Sequence, residues 1–586
     1  MKRIVFLICS FLLTQIVSAQ RLTDDIKLNQ IGFYPEAQKM AVVPESASGI
    51  FYIVSPDFSD TLHTGQLSDS FESPNSGETV RIADFSQLNQ TGQYIVWIPE
   101  LGYSYSFSIS ENVHEDVAKA ALKGFYFQRA STAIPFEYGG KWARPAGHPD
   151  DVVLIHPSAA SSNRPVDSTI SAPGGWYDAG DYNKYAVNSG ISTATLLSLY
   201  EDFPEFMQTF ETDIPESENR LPDILDEVLW NLRWYMKMQD PADGGVYHKL
   251  TSANFSGQVM PVEDTNARYV IQKSVTGTLN FAAVMAQAAR VFREYPGEAP
   301  AFADSAVIAS LNAWLWARQN QDQLYNQNEL NDQFDPDITT GEYGDSDASD
   351  EFIWAATELF ATTKNSLFYN AIDLFPSDQA TVPSWQNVRS LAYYTIARLS
   401  DDLSETAPDD ITKASQIIVS LADSLINSGT ETGYQTVMDR SAGNYIWGSS
   451  STAANQGIVL IQAYLITEHR DYLDHALSNL DYLLGRNATG YSFLTGFGDK
   501  TPINIHHRPS GAHLISEPVP GLLAGGPNAG QQDGCEYPSD LPALSYLDDY
   551  CSYASNEIAI NWNAPMVYLS AALEALQYQA GLSNQE

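Results

Sequence analysis

Phe281-Ala282-Ala283-Val284-Met285-Ala286-Gln287-Ala288-Ala289 contains one polar residue in nine. Ala and Met are strong helix formers, and apolar atoms at every angle round the wheel leave no face for water. Such a helix has to be enclosed by other helices. The periodicity predicts it over 275–295. Similar patterns recur at 115–129, 190–200, 221–238, 301–319, 349–363, 366–374, 388–399, 410–428, 453–469, 471–484 and 557–578. About twelve helices, many apolar round much of their circumference and joined by long aromatic-rich loops, predict a double ring, an (α/α)6 barrel. The loops at 145–188, 240–272, 325–346 and 487–555 are long enough to carry function.

The chain ahead of this region has a different texture. Ile50-Phe51-Tyr52-Ile53-Val54, Val80-Arg81-Ile82, Gln93–Ile98 and Tyr103–Ile109 are β-branched and aromatic, separated by Gly, Pro, Asn and Ser clusters. This is the pattern of a small immunoglobulin-like β-sandwich. The expected organisation is a leader at 1–19, a sandwich at 24–110 and a mostly α barrel at 111–582. A chain of 586 residues fits more than one domain.

Lys2 and Arg3, the apolar run Ile4–Leu13 and Val17-Ser18-Ala19 have the layout of a secretory signal, so export to the periplasm or the medium is expected. No later stretch approaches the ~18 apolar residues that span a membrane. With 31 basic and 72 acidic residues, net −41, the surface repels nucleic acid and anionic lipid and favours neutral partners or divalent cations. Cys535 and Cys551 are the two cysteines beyond the leader, able to close a disulfide in an oxidising compartment or to remain as two thiols. A monomer is expected.

The residues suited to chemistry lie in two of the long loops. Gly174-Gly175-Trp176-Tyr177-Asp178-Ala179-Gly180-Asp181-Tyr182 reads as a tight, shaped loop bearing two carboxylates three residues apart. The pair is able to hold one water or one metal between them. An Asx-rich turn capping the next helix fits the same residues. Trp176, Tyr177 and Tyr182 offer flat faces for a sugar ring, and core packing suits them equally. Further on, His506-His507-Arg508 supplies donors for hydroxyls or an anion, and fits a metal fragment or surface loop as well. Glu557 reads as the opening residue of the last helix, where the dipole favours a carboxylate.

Three separated segments together resemble glycoside hydrolase family 9, secreted cellulases and related β-glucan hydrolases. Asp178-Ala179-Gly180-Asp181 looks like its paired-aspartate motif. Ser492–Arg508, with Gly498, Lys500, His506 and Arg508 in register, looks like its histidine-arginine motif. Tyr546, Asp548, Tyr553, Glu557, Ala559 and Asn563-Ala564 match its catalytic-glutamate motif. Leu28–Phe33 and Asp84-Phe85-Ser86 resemble the immunoglobulin-like module found in one branch of that family. The resemblance implies inverting hydrolysis of β-1,4 bonds in a glucan polysaccharide or oligosaccharide, with no cofactor needed for the chemistry. Glu557 would be the general acid and Asp181 the general base, with Asp178 holding the same water. His506 and Arg508 would bind sugar hydroxyls, with Trp176, Tyr553 and Trp562 as stacking or wall residues. An endoglucanase is the leading expectation. Exo-acting members of cellobiohydrolase, β-glucosidase or exo-glucosaminidase type and xyloglucan-type glucanases are alternatives within the family, and a non-catalytic glycan-binding protein is the alternative outside it.

The chain departs from the family at two metal positions. Ala130, Gly147, His148 and Tyr177 stand where the branch often places a structural zinc, and only His148 is able to ligate, so no zinc is expected. Ser346, Asp347, Asp350 and Glu351 supply oxygen donors for the family's calcium, although Gln386 replaces the aspartate sought after Trp385. The insert around Cys535 and Cys551 has no counterpart in the motif.

Overall fold

The computed structural model describes residues 21–428 and 432–584; the predicted leader lies outside them. The first module is a two-sheet β-sandwich. Met40–Pro44, Glu78–Asp84 and Phe71–Ser73 form one sheet. Gly32–Phe33, Phe107–Ile109, Gly92–Ile98, Ile50–Val54 and Thr61–Gln66 form the other, with Gly102–Tyr103 pairing Gly92–Ile98. Alternate residues, among them Phe33, Phe51, Ile53, Phe85, Val96 and Phe107, meet between the sheets as a separate core.

The rest is the (α/α)6 barrel. Its inner helices are Ala186–Asp202, Val275–Phe292, Ser349–Thr363, Arg389–Arg398, Ser449–Thr467 and Ile560–Leu576. Each carries an outer partner: Asp223–Met238, Phe302–Gln319, Ser366–Tyr369, Pro408–Asn427, Arg470–Leu483 and Glu115–Phe127 respectively. Every residue of Val275–Phe292 except Arg290 is buried, as its all-round apolar pattern requires. Its start is fixed by Ser274, whose Oγ accepts from the Gly277 N–H.

One buried polar network reaches all six inner helices, between their middles and their C-terminal ends. Arg290 bridges Glu201 and Glu358 at 2.7 and 3.0 Å. Arg398 bridges Glu201 at 3.5 Å and Asp202 at 2.6 Å. Gln462 Nε2 and the Tyr568 hydroxyl then donate to Asp202 Oδ2, at 2.8 and 2.5 Å. Two arginines at helix C-termini also complement the helix dipoles.

Boundaries differ from expectation where neighbours, not periodicity, decide. The helix expected at 366–374 is the single turn Ser366–Tyr369, and the one expected from 190 begins at Ala186. The loops at 145–188 and 240–272 hold a five-stranded sheet ordered Thr169–Ile170, Val153–Ile155, Arg268–Val270, Lys249–Ser252, Lys184–Tyr185. Asp150 pairs with Lys184 at 2.7 Å and with Arg268 at 3.2 Å at the base of that sheet. Strands this short leave no readable alternation.

Arg398→Met tests the ring. It leaves Asp202 and Glu201 buried with one cation fewer, and breaking such a pair costs about 3–5 kcal/mol. A clear fall in the urea midpoint is expected, and a midpoint within error of wild type would sink the assignment.

Candidate active site

The cleft lies at the opposite end of the barrel, where the inner helices begin. Tyr185, Tyr343, Trp385, Trp447, Glu557 and Ala559 all stand shortly before an inner helix, and all line a cavity of about 680 Å³. Asp178, Ala179, Asp181, Phe255, Thr339–Glu342, His506, Arg508, Tyr553, Asn561 and Trp562 complete the wall.

Backbone pairing brings the distant motifs together. Ala179 bridges Ala559, and His506 bridges Glu557. The Ile560 N–H donates to the Asp178 carbonyl at 2.8 Å, and the Arg508 N–H to the Gly180 carbonyl at 3.0 Å. Glycines make the fit possible. A Cβ on Gly180 would sit 2.0 Å from the His506 carbonyl oxygen. Gly175, at φ +76°, would drive a Cβ to 2.7 Å from the Trp234 ring. Glu557 is correspondingly extended, with φ −75° and ψ 164°, after the single turn Tyr553–Asn556. The last helix starts only at Ile560, so Glu557 does not open it as expected; pairing with the backbone at His506 takes precedence over helix extension.

Each carboxylate has its own surroundings. Asp178 is buried and accepts from Asn188 Nδ2 at 2.9 Å and the Tyr343 hydroxyl at 2.9 Å. Burial, then the Asp181 charge, pushes Asp178 up to about 8 against those two donors. Asp181 accepts from Asn183 Nδ2, and from the Tyr185 hydroxyl at 3.3 Å. Burial, with Asp181 and Asp178 adding to it, holds Glu557 well above the usual glutamate range, while Arg508 acts in the opposite sense. Burial thus favours the protonated form of Glu557, the form from which a carboxyl group gives a proton.

His506 donates from Nδ1 to the Tyr550 carbonyl at 2.6 Å, an acceptor only, which leaves Nε2 without the proton in the neutral ring. Burial lowers its pKa. Arg508 donates from Nη1 to Gly180 O at 2.8 Å and from Nε to Ser256 O at 2.9 Å. His507 faces away: its Nε2 meets Gln128 Oε1 at 3.0 Å, and Gln128 in turn donates to Ala179 O at 2.9 Å. Lys249, pushed down to about 7 by burial, donates to Gly341 O at 2.6 Å and braces the Thr339–Gly341 wall.

Tyr553 and Trp562 line the cleft as expected; Trp176 does not. It is 1% exposed, packs on Phe125 at 4.7 Å and donates from Nε1 to Glu227 at 2.6 Å, because two left-handed glycines turn its ring inward. Tyr177 and Tyr182 are buried too, in a small cluster with Ala130. His148 lies between the Tyr177 hydroxyl, at 2.8 Å from Nδ1, and Asp264 Oδ2, at 3.1 Å from Nε2. Sequence reasoning does not single out Tyr343, Trp385, Trp447 or Phe255 for the cleft. Tyr343 lies in a loop flagged by its length, but an isolated aromatic there carries no signal of its contact.

The four expected calcium ligands are not gathered round one point. Asp347 Oδ1 accepts from Ser349 N, and Asp350 Oδ2 from Val388 N. Both Glu351 oxygens and Asp345 Oδ2 are buried without a hydrogen-bond partner, which suits a hard cation. Yet among the described residues no group of three or more His, Cys, Asp or Glu side chains is arranged to hold a metal ion. Asp347 and Asp350 each give one oxygen to a backbone N–H group and keep the other.

A helical double ring whose mouth carries one protonated acid across from two aspartates is the build of a glycosidase. The chain belongs to glycosyl hydrolase family 9: that family's description matches residues 114–570, and the cellulase N-terminal ig-like domain matches 22–102. It is similar to the xyloglucan-specific endo-β-1,4-glucanase BoGH9A of Bacteroides ovatus, 44% identical over 94% of each chain. Endoglucanase D of Acetivibrio thermocellus is 33% identical over 95% of this chain and 85% of its own length. The solved structure of Bacteroides ovatus GH9 superposes with a TM-score of 0.91 at 42% identity, covering 95% of this chain and all of that one. The enzyme is thus a hydrolase of β-glucan, of a class that acts without a cofactor.

Two outcomes test the electrostatics. Tyr343→Phe removes a donor to Asp178, and kcat is expected to fall about tenfold, the equivalent of about 1.4 kcal/mol; an unchanged kcat excludes the contact from the reaction. The protonated form of Glu557 is the one able to give a proton, so a reaction that draws on it is lost as pH rises through its pKa. Arg508→Gln removes the charge that lowers that pKa, and the alkaline limb of the kcat profile should move to higher pH. Movement to lower pH would contradict the geometry.

Proposed function

We propose that Glu557 is the general acid and Asp181 the general base of an inverting, endo-acting β-1,4-glucanase, with Asp178 holding the attacking water. The observation that carries this is the backbone pairing that sets Glu557 across one cleft from Asp178 and Asp181. Inversion calls for two carboxyl groups ~6.5–9.5 Å apart, leaving room for a water. Glu557 protonates the leaving oxygen as the glycosidic bond breaks. Asp181 takes a proton from the water that attacks the opposite face of the sugar.

The polymer we favour is xyloglucan. The 44% identical relative acts on it, and the Thr339-Thr340-Gly341 wall carries small side chains that leave space beside a main-chain sugar. Export from the cell is part of the same proposal and rests on the leader pattern at 1–19. N-terminal sequencing of the mature protein should begin at Gln20.

Glu557→Gln should lower kcat about 10²–10⁴-fold, the usual share of one general acid. Proton NMR of the first product should show the α-anomer, and β-anomer first would refute inversion. On xyloglucan, viscosity should fall much faster than reducing ends appear. Proportional change would favour the exo members of the family.

A further inference from the structure

The insert before Glu557 closes on itself through the Cys535–Cys551 disulfide. Between the two cysteines the backbone has no regular element except the turn Pro542–Leu544, so its shape rests on side-chain contacts and the bridge. Three residues near its end reach the bridged segments that carry His506 and Glu557. The Tyr546 hydroxyl donates to Asn556 Oδ1 at 2.6 Å, next to Glu557. Asp548 accepts from the N–H groups of Ile503, at 2.9 Å, and Asn504, at 2.8 Å, just ahead of His506. Tyr550, the residue before Cys551, lays its ring on His506 at 4.5 Å and 29°, and its carbonyl accepts the Nδ1 proton at 2.6 Å.

Resting on the glucanase reading of this cleft, we propose that the Cys535–Cys551 bridge is a positioning device for His506. By fixing Tyr550 it holds the imidazole flat and in the tautomer whose Nε2 accepts a hydrogen bond from a sugar hydroxyl. The bond that matters lies one residue from the bridge, and no helix or strand holds Tyr550 in its place. Without the bridge only the hydrogen bonds of Asp548 and of the Asp549 turn hold the segment, and the carbonyl turns more often to water. The ring then samples both tautomers, and part of that population presents a donor where the sugar expects an acceptor. Cys551 is exposed, so a reductant has access to the bridge in the folded enzyme.

The test compares three forms: oxidised wild type, the same protein reduced with a phosphine, and the Cys535→Ser/Cys551→Ser double variant. Steady-state kinetics on β-1,4-glucan oligosaccharides are read beside ¹⁵N imidazole NMR, with near-UV circular dichroism as the folding control. The expected result is a fall of at least tenfold in kcat/KM, carried mainly by KM, and a His506 signal that changes from one tautomer to an average. Reoxidation of the reduced protein should restore both. A kcat/KM within twofold of wild type, or an unchanged His506 tautomer, overturns the proposal even where the melting temperature falls. Global unfolding of both unbridged forms overturns it as well, since a bridge required by the whole fold is not a device for one residue. Absence of any glucan hydrolysis by the oxidised wild type would refute the proposed function instead, and the NMR comparison would still decide the role of the bridge.

Discussion

Asp202 and Glu201 are the point on which the barrel turns. Their carboxylates are shared among Arg290, Arg398, Gln462 and Tyr568, and Arg290 passes the network on to Glu358. Each inner helix thereby contributes one or two polar groups to a buried network on the side away from the cleft. Apolar packing alone lets such helices slide by a turn at modest cost. A network of charges does not, because a shifted partner leaves an ion buried and unpaired. The ring therefore fixes the height of every inner helix, and with it the height of the loops at the other end, where the substrate is held.

That polarity also sets the field in the cleft. The inner helices begin at the mouth, so their positive ends face Asp178, Asp181 and Glu557. Burial and neighbouring carboxylate charge both oppose ionisation of Asp178 and Glu557. The donors around Asp178 and Asp181 come from the residues that follow them in the chain and from Tyr343. At Glu557 the Arg508 guanidinium is outweighed by burial and by the two aspartate charges, which favour the proton. Desolvation raises both Asp178 and Glu557, and at Asp178 two side-chain donors, Asn188 and Tyr343, oppose the rise.

Much of this was legible in the chain itself. The helix at 275–295 is apolar all round and lies where its pattern places it. Asp178, Asp181, Glu557, His506, Arg508, Tyr553 and Trp562 converge on one cleft. What was not legible depends on contacts distant in sequence. Glu557 looks like a helix start until the backbone at His506 pairs with it. Trp176 looks like a sugar platform until Gly174 and Gly175, both left-handed, turn it onto Phe125. The five short strands behind Asp150 come together where Lys184 and Arg268 bury their charges against that one carboxylate. Arg268 is 118 residues from it, and no local periodicity records the pairing.

The leading sandwich belongs to the same mechanical scheme. Its Tyr34 hydroxyl donates to Glu574 at 2.8 Å, and the backbone N–H of His114, in the link to the barrel, donates to the same carboxylate at 2.7 Å. Asn29 donates to Asp481 at 2.8 Å, on the outer helix Arg470–Leu483. Glu574 stands near the C-terminal end of Ile560–Leu576, and burial pushes it up to about 7. That helix is therefore held at one end by the sandwich, at its middle by Tyr568 and Asp202, and at its start by the Asp178 carbonyl. Glu557 stands just ahead of that start. A helix fixed at three points along its length has little freedom to rotate or slide, so Glu557 keeps its place across from Asp178 and Asp181 even though the segment that carries it is not helical. The sandwich meets the barrel through these buried polar contacts, and they brace the last inner helix.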